Sequence, residues 1–181
     1  MLPNLSMNGT RQPVAQHLRG KCSATGRAPV MLVVGPLMAA SFSIGDSNNS
    51  RLVVDVLKYE RPLSGDYHDD NWLRVVVRVN VGGFRANVEA AFQSAELLGF
   101  LGALKVLRET LREEARFDTL ETQLALSLRG DGRGHIDLTG TVSDQPGGGN
   151  QLAFSLQIDQ TYLSKTIREL EVVTSMFPVR A

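Results

Sequence analysis

Cysteine is almost missing from this chain. Cys22 is the only one in 181 residues, which excludes an intramolecular disulfide and a cysteine-built metal cage and fits a reducing compartment. Acidic side chains are missing from residues 1–45, where Arg11, Arg19, Lys21 and Arg27 are the only charges. A basic excess is in turn missing from the remainder: residues 46–181 hold 15 basic and 19 acidic side chains, a net charge of −4. Such a balance argues against non-specific nucleic-acid binding, which relies on clustered Lys and Arg to displace counterions. Long apolar runs are absent as well. The longest, residues 28–40, is broken by Pro29 and Pro36 and is too short to span a bilayer, so no membrane partner is expected.

What is present begins with an uninformative tail. Residues 1–38 show neither a helical nor a strand period and are rich in Gly, Ser, Pro, Asn and Gln, a composition that buries too little apolar surface to offset the entropy of ordering. This stretch reads as a disordered tail or a mis-assigned start, with Met31 or Met38 beginning the protein. Its basic residues, apolar run and Ala39-Ala40-Ser41 also resemble a secretory leader and cleavage site. The first reading places the protein in the cytoplasm, the second outside it. Residues 39–181 are expected to form a single α+β domain.

Within that domain two periods alternate. Leu52 to Tyr59 is β-branched and apolar, a strand pattern. Leu73, Val75, Val77, Val79 and Val81 then face one way, with Arg74, Arg78 and Asn80 facing the other. Gly82-Gly83 supplies a hairpin turn, and Phe84, Ala86, Val88 and Ala90 form its return strand. From Ser94, read as an N-cap, Leu97, Leu98, Leu101, Leu104, Leu107 and Leu111 recur at helical spacing, with Lys105, Arg108, Glu109, Arg112, Glu113 and Arg116 on the outer face. Alternation returns at Leu120, Thr122, Leu124, Leu126 and Leu128, then at Ile136, Leu138, Gly140 and Val142, and at Leu152, Phe154, Leu156 and Ile158. Asp159 or Thr161 opens a last helix, whose stripe Leu163, Ile167, Leu170, Val173 and Phe177 is stopped by Pro178. Hairpin-length connections predict an antiparallel sheet of six or seven strands with both helices on one face.

Few residues suggest chemistry. Gly130-Asp131-Gly132-Arg133-Gly134 looks like a phosphate loop, but strands flank it where an anion site needs a helix N-terminus, so it reads as a turn. Asp66, His68, Asp69 and Asp70 could serve a small metal-dependent or hydrolytic enzyme. Asp and Asn also belong in turns for local hydrogen-bonding reasons. No nucleophile lies beside a base, so no catalytic residue, metal or cofactor is assigned. Trp72 reads first as a core anchor, and otherwise as an interface anchor beside Arg74 and Arg78. Glu60, Asp66, Asp69 and Asp70, against Arg61 alone, form an acidic loop suited to steering a basic partner.

Three segments carry a family resemblance. Val56-Leu57-Lys58-Tyr59-Glu60-Arg61-Pro62, the Asp70-Asn71-Trp72-Leu73 start of the valine-rich strand, and the terminal Phe177-Pro178-Val179-Arg180 occur in order with fitting distances. Together they resemble the WapI-type immunity proteins of bacterial contact-dependent toxin systems, over residues 40–181. The resemblance implies a small cytoplasmic, non-catalytic protein that binds a cognate toxin domain directly and blocks its active surface. For the namesake system it implies a tRNA-directed nuclease as the toxin. Glu60, Asp66, Asp69, Asp70 and Trp72 are the expected partner-binding residues.

Overall fold

The structure, a computed structural model, describes residues 39–45 and 50–181. The readings of residues 1–38 fall outside the described residues. The chain runs through β1 (Ala40–Gly45), β2 (Ser50–Tyr59), a single turn of helix α1 (Tyr67–Asp70), β3 (Trp72–Val81), β4 (Phe84–Gln93) and α2 (Ser94–Thr110). It continues through β5 (Glu114–Asp118), β6 (Leu124–Gly130), β7 (His135–Gln145), β8 (Gly148–Asp159) and α3 (Gln160–Met176). All pairings are antiparallel.

The α+β class holds, but the single sheet of six or seven strands does not. The strands form two four-stranded meanders, β1-β2-β3-β4 and β5-β6-β7-β8. Side chains close the edges at which the first sheet would otherwise grow. At β4, Gln123 Oε1 accepts from Ala91 N (3.2 Å) and Gln123 Nε2 donates to Glu89 O (3.2 Å). At β1, Ser43 N donates to Glu169 Oε2 (2.9 Å), and Thr166 Oγ1 donates to Ser43 O (2.7 Å). These two groups on each edge strand are thereby withheld from another strand.

Each meander is followed by a helix, and each helix packs on the first strand of the other meander, α3 on β1 and α2 on β5. The two helices also touch each other. One hydrophobic cluster joins both sheets and both long helices, with Phe42, Phe92, Phe100 and Phe117 among its largest fully buried side chains. Phe92 and Phe100 each pack on Phe117, with ring centroids 5.4 and 4.9 Å apart.

Local differences from the sequence reading have local causes. Helix α2 stops at Thr110, and Leu111 takes a left-handed cap (φ 53°), so Arg116 lies on β5 and not on the helix. Gly130, at the end of β6, lets the cap sit close, since a Cβ on it would lie 2.2 Å from Leu111 O. The N-cap of α2 is Gln93, whose N–H donates to Glu96 Oε2 (2.8 Å), while Ser94 is the first helical residue. Leu98 faces solvent. Leu120 and Thr122 belong to the turn before β6, Leu120 exposed and Thr122 at φ 55°. Asp159 does cap α3, accepting from Thr161 N at 2.8 Å.

Candidate functional site

The three segments that carried the resemblance, far apart in sequence, meet at one end of the first sheet. Asn71 is their hub and is fully buried. Its Nδ2 donates to Tyr67 O (2.7 Å) and Arg180 O (2.9 Å). Its Oδ1 accepts from Ser94 Oγ (2.7 Å) and Arg180 N (2.8 Å). One amide thereby ties α1, the start of α2 and the C-terminal strap, residues 177–180, to the start of β3, with every donor and acceptor of the side chain used.

Arg180 completes the lock. Its guanidinium lies over the Tyr59 ring, 3.2 Å from the centroid, and Nη1 donates to Arg61 O (3.2 Å) and Asp70 O (3.4 Å). Tyr59 packs edge-on against Phe177 (5.6 Å between centroids), and its hydroxyl donates to Pro178 O. Burial raises the Tyr59 pKa above its ordinary value, against the charge of Arg180 and a hydrogen bond from it.

The loop between β2 and β3 spends much of its acidity on itself. Asp70 is buried and accepts from Ser64 N (2.8 Å), Ser64 Oγ (2.8 Å) and Gly65 N (2.7 Å). Burial pushes its carboxyl pKa up, but the Ser64 and Gly65 hydrogen bonds and the Arg180 charge outweigh it and leave the pKa below its ordinary value. Asp66 Oδ1 caps α1, accepting from His68 N (2.9 Å) and Asp69 N (3.2 Å). Asp69 is ion-paired with Arg61. Glu60 is exposed, and its N–H closes the loop on Trp72 O at 2.8 Å. Asp66 and Asp69 thus remain at the surface, and Asp70 holds the loop from behind. The Asp66, His68, Asp69 and Asp70 side chains do not converge, and among the described residues no group of three or more His, Cys, Asp or Glu is placed to hold a metal ion.

Trp72 is not a core residue. It is half-buried on the outer face of the sheet, because Leu73, Val75, Val77 and Val79 take the inward positions and leave Trp72, Arg74, Val76, Arg78 and Asn80 outward. The register aligns them with Lys58, Asp55, Val53 and Arg51 on β2, and with Ala91, Glu89, Asn87 and Arg85 on β4. Sequence reasoning separated the outward side chains of β3 and β4 by parity. It did not assemble them into one face, because cross-strand register cannot be read from a single strand. The turn at Gly130–Gly134 is a hairpin, organised by Asp131 Oδ1 accepting from Arg133 N (2.6 Å) and His135 N (3.2 Å).

Two four-stranded meanders with exchanged helices, a pinned loop and a broad outward sheet face define an α+β scaffold. The chain belongs to the WapI-like immunity protein family, whose model matches residues 43–178. Immunity proteins are generally non-enzymatic. No curated protein matched the chain.

Proposed function

We propose that this protein neutralises a cognate bacterial toxin domain in the cytoplasm by binding it directly and covering its active surface. Family membership over residues 43–178 carries the reading. The geometry supports it: Asn71 and Arg180 fix the β2–β3 loop, so exposed Glu60 and Asp66 and half-buried Asp69 are held in place before a partner arrives, which limits the ordering cost of association. Trp72, half-buried beside this loop, supplies an aromatic anchor of the kind that dominates interface energetics. An acidic rim of this sort fits a basic cleft such as a nuclease presents.

Co-expression with the C-terminal toxin domain encoded beside this gene tests the proposal. Growth rescue with a co-purifying complex is the expected result. Persistent toxicity, with both proteins soluble and no complex, overturns it.

A further inference from the structure

The edges of the two sheets are not treated alike. Gln123 bonds to the β4 edge, and Glu169 and Thr166 bond to that of β1. At one edge of the second sheet, β5 is five residues long and has α2 packed on it. At the other edge lies β8, the longest described strand at 12 residues. From Gln151 to Ile158 it carries no charge and no proline, and its pairing with β7 runs without a bulge over these residues. Charges, prolines and bulges are the devices by which proteins blunt an edge, and this stretch has none of them. Both β1 and β3 come near β8 but form no ladder with it. Among the described residues, no side chain or main-chain group outside β7 bonds to the main chain of residues 151–158. Buried main-chain groups are nearly always paired, so the outward N–H and C=O groups of β8 face water.

This edge also has an internal symmetry. Residues 151–157 read Gln-Leu-Ala-Phe-Ser-Leu-Gln, the same in both directions except for Ala153 against Ser155, two small side chains. A two-fold interface requires that residue i meets j while j meets i. Antiparallel pairing of two copies centred on Phe154 meets that condition throughout: Gln151 stands opposite Gln157, Leu152 opposite Leu156, and Ala153 opposite Ser155. The outward residues Gln151, Ala153, Ser155 and Gln157 are exposed and uncharged, so no like charges oppose one another. On the inner face, half-buried Leu152 gains Leu156 of the second copy as a neighbour. The nearest charge along the strand, Asp159, falls opposite Gly149 of the second copy and already caps α3.

We propose that β8 pairs with β8 of a second copy of this chain, joining two four-stranded sheets into one of eight strands. The palindrome selects this occupant, since a strand from an unrelated partner has no need of it. Seven paired residues exchange about six to eight main-chain hydrogen bonds. That is an interface at the small end of the range, so a dimer of micromolar stability is expected. The acidic loop stands at the Trp72 end of β3, whereas Val81 and Phe84, at the opposite end of that hairpin, line a cleft with residues 152–155. Dimerisation therefore leaves the loop open on each copy, and the proposal stands independently of toxin binding.

Analytical ultracentrifugation of the full chain from about 1 µM to about 500 µM tests this, with a reversible monomer–dimer equilibrium as the expected result. Gln151→Lys with Gln157→Lys sets like charges opposite each other twice and should weaken the dimer at least tenfold at low salt. Gln151→Glu with Gln157→Lys sets opposite charges there and should dimerise at least as tightly as the wild type. Gln157 Nε2 donates to Asp137 Oδ1 (2.9 Å), and a lysine keeps a donor for that carboxylate in both variants. The two differ only in the sign of the charge at exposed position 151, so a difference between them does not come from misfolding. A wild type that stays monomeric at every concentration overturns the proposal, as does equal dimerisation of the two variants. Hydrogen exchange on the wild type gives a second readout that needs no substitution: amides of residues 151–157 should slow as concentration rises. Slowing confined to another element overturns the assignment to β8.

Discussion

A single side chain can decide whether the motif-bearing end of the molecule holds together. Asn71 makes four side-chain hydrogen bonds in full burial, and truncation to Ala would orphan Ser94 Oγ and main-chain groups of residues 67 and 180. At about 1–3 kcal/mol for a buried group left unpaired, Asn71→Ala is expected to cost about 3 kcal/mol, measured as a drop in urea midpoint with an unchanged slope. Arg180→Ala removes the contact over Tyr59 and the bonds to Arg61 O and Asp70 O. A partly desolvated cation–π contact contributes about 1–2 kcal/mol, so a loss of that size is expected. Amide exchange in residues 60–70 should speed up more than exchange in β6 or β7. Equal acceleration everywhere would show that Arg180 acts on global stability and not on the loop.

Secondary structure follows the sequence where one period runs uninterrupted, and departs from it where tertiary contacts choose between local options. The valine run of β3, the stripe of α3 and the β7–β8 hairpin are all legible from spacing. The stop of α2 is not. Leu111 sits at helical spacing and charged residues continue beyond it, yet Gly132 N donates to Leu111 O (2.7 Å) and the chain leaves the helix. Nothing in residues 107–116 announces a hydrogen bond supplied by a turn twenty residues on. The division into two sheets was equally illegible, since the β4 edge meets Gln123, an unremarkable polar residue by sequence, in place of another strand. Of the candidate site, the acidic loop was legible as a charge pattern, but the burial of Asp70 and the outward position of Trp72 were not. Gln123→Ala should cost about 1–2 kcal/mol for its two bonds. It should also raise aggregation, followed by light scattering, because the Glu89–Ala91 edge becomes free to pair.

Acid should loosen the whole molecule through several carboxylates at once. Glu114 is held down to about 2 by hydrogen bonds from Ser127 and Arg116, against some burial, with the Arg116 charge and an Arg129 hydrogen bond adding to the effect. A depressed folded pKa means stabilisation that is full above the ordinary value of 4.5 and is lost as pH falls through about 2. Asp131 and Asp159, lowered chiefly by hydrogen bonds from Arg133 N and Thr161 N, act in the same direction below their ordinary 3.8. Glu96 opposes them. Burial raises its pKa, so the fold favours its protonated form and its contribution weakens as pH rises above 4.5. The urea midpoint is expected to fall from about pH 5 to about pH 2, and Glu114→Gln should flatten the most acidic part of that fall.

The exchange of helices makes the protein divisible. Cut between Leu111 and Glu114, each fragment keeps a complete meander, but its helix has lost the strand it leans on, which now belongs to the other fragment. Neither piece then has a finished core by itself, and each presents the surface the other lacks. Expressed as two chains, they should remain unstructured apart and fold when mixed, which would make this scaffold a ready-made split reporter whose signal is reassembly.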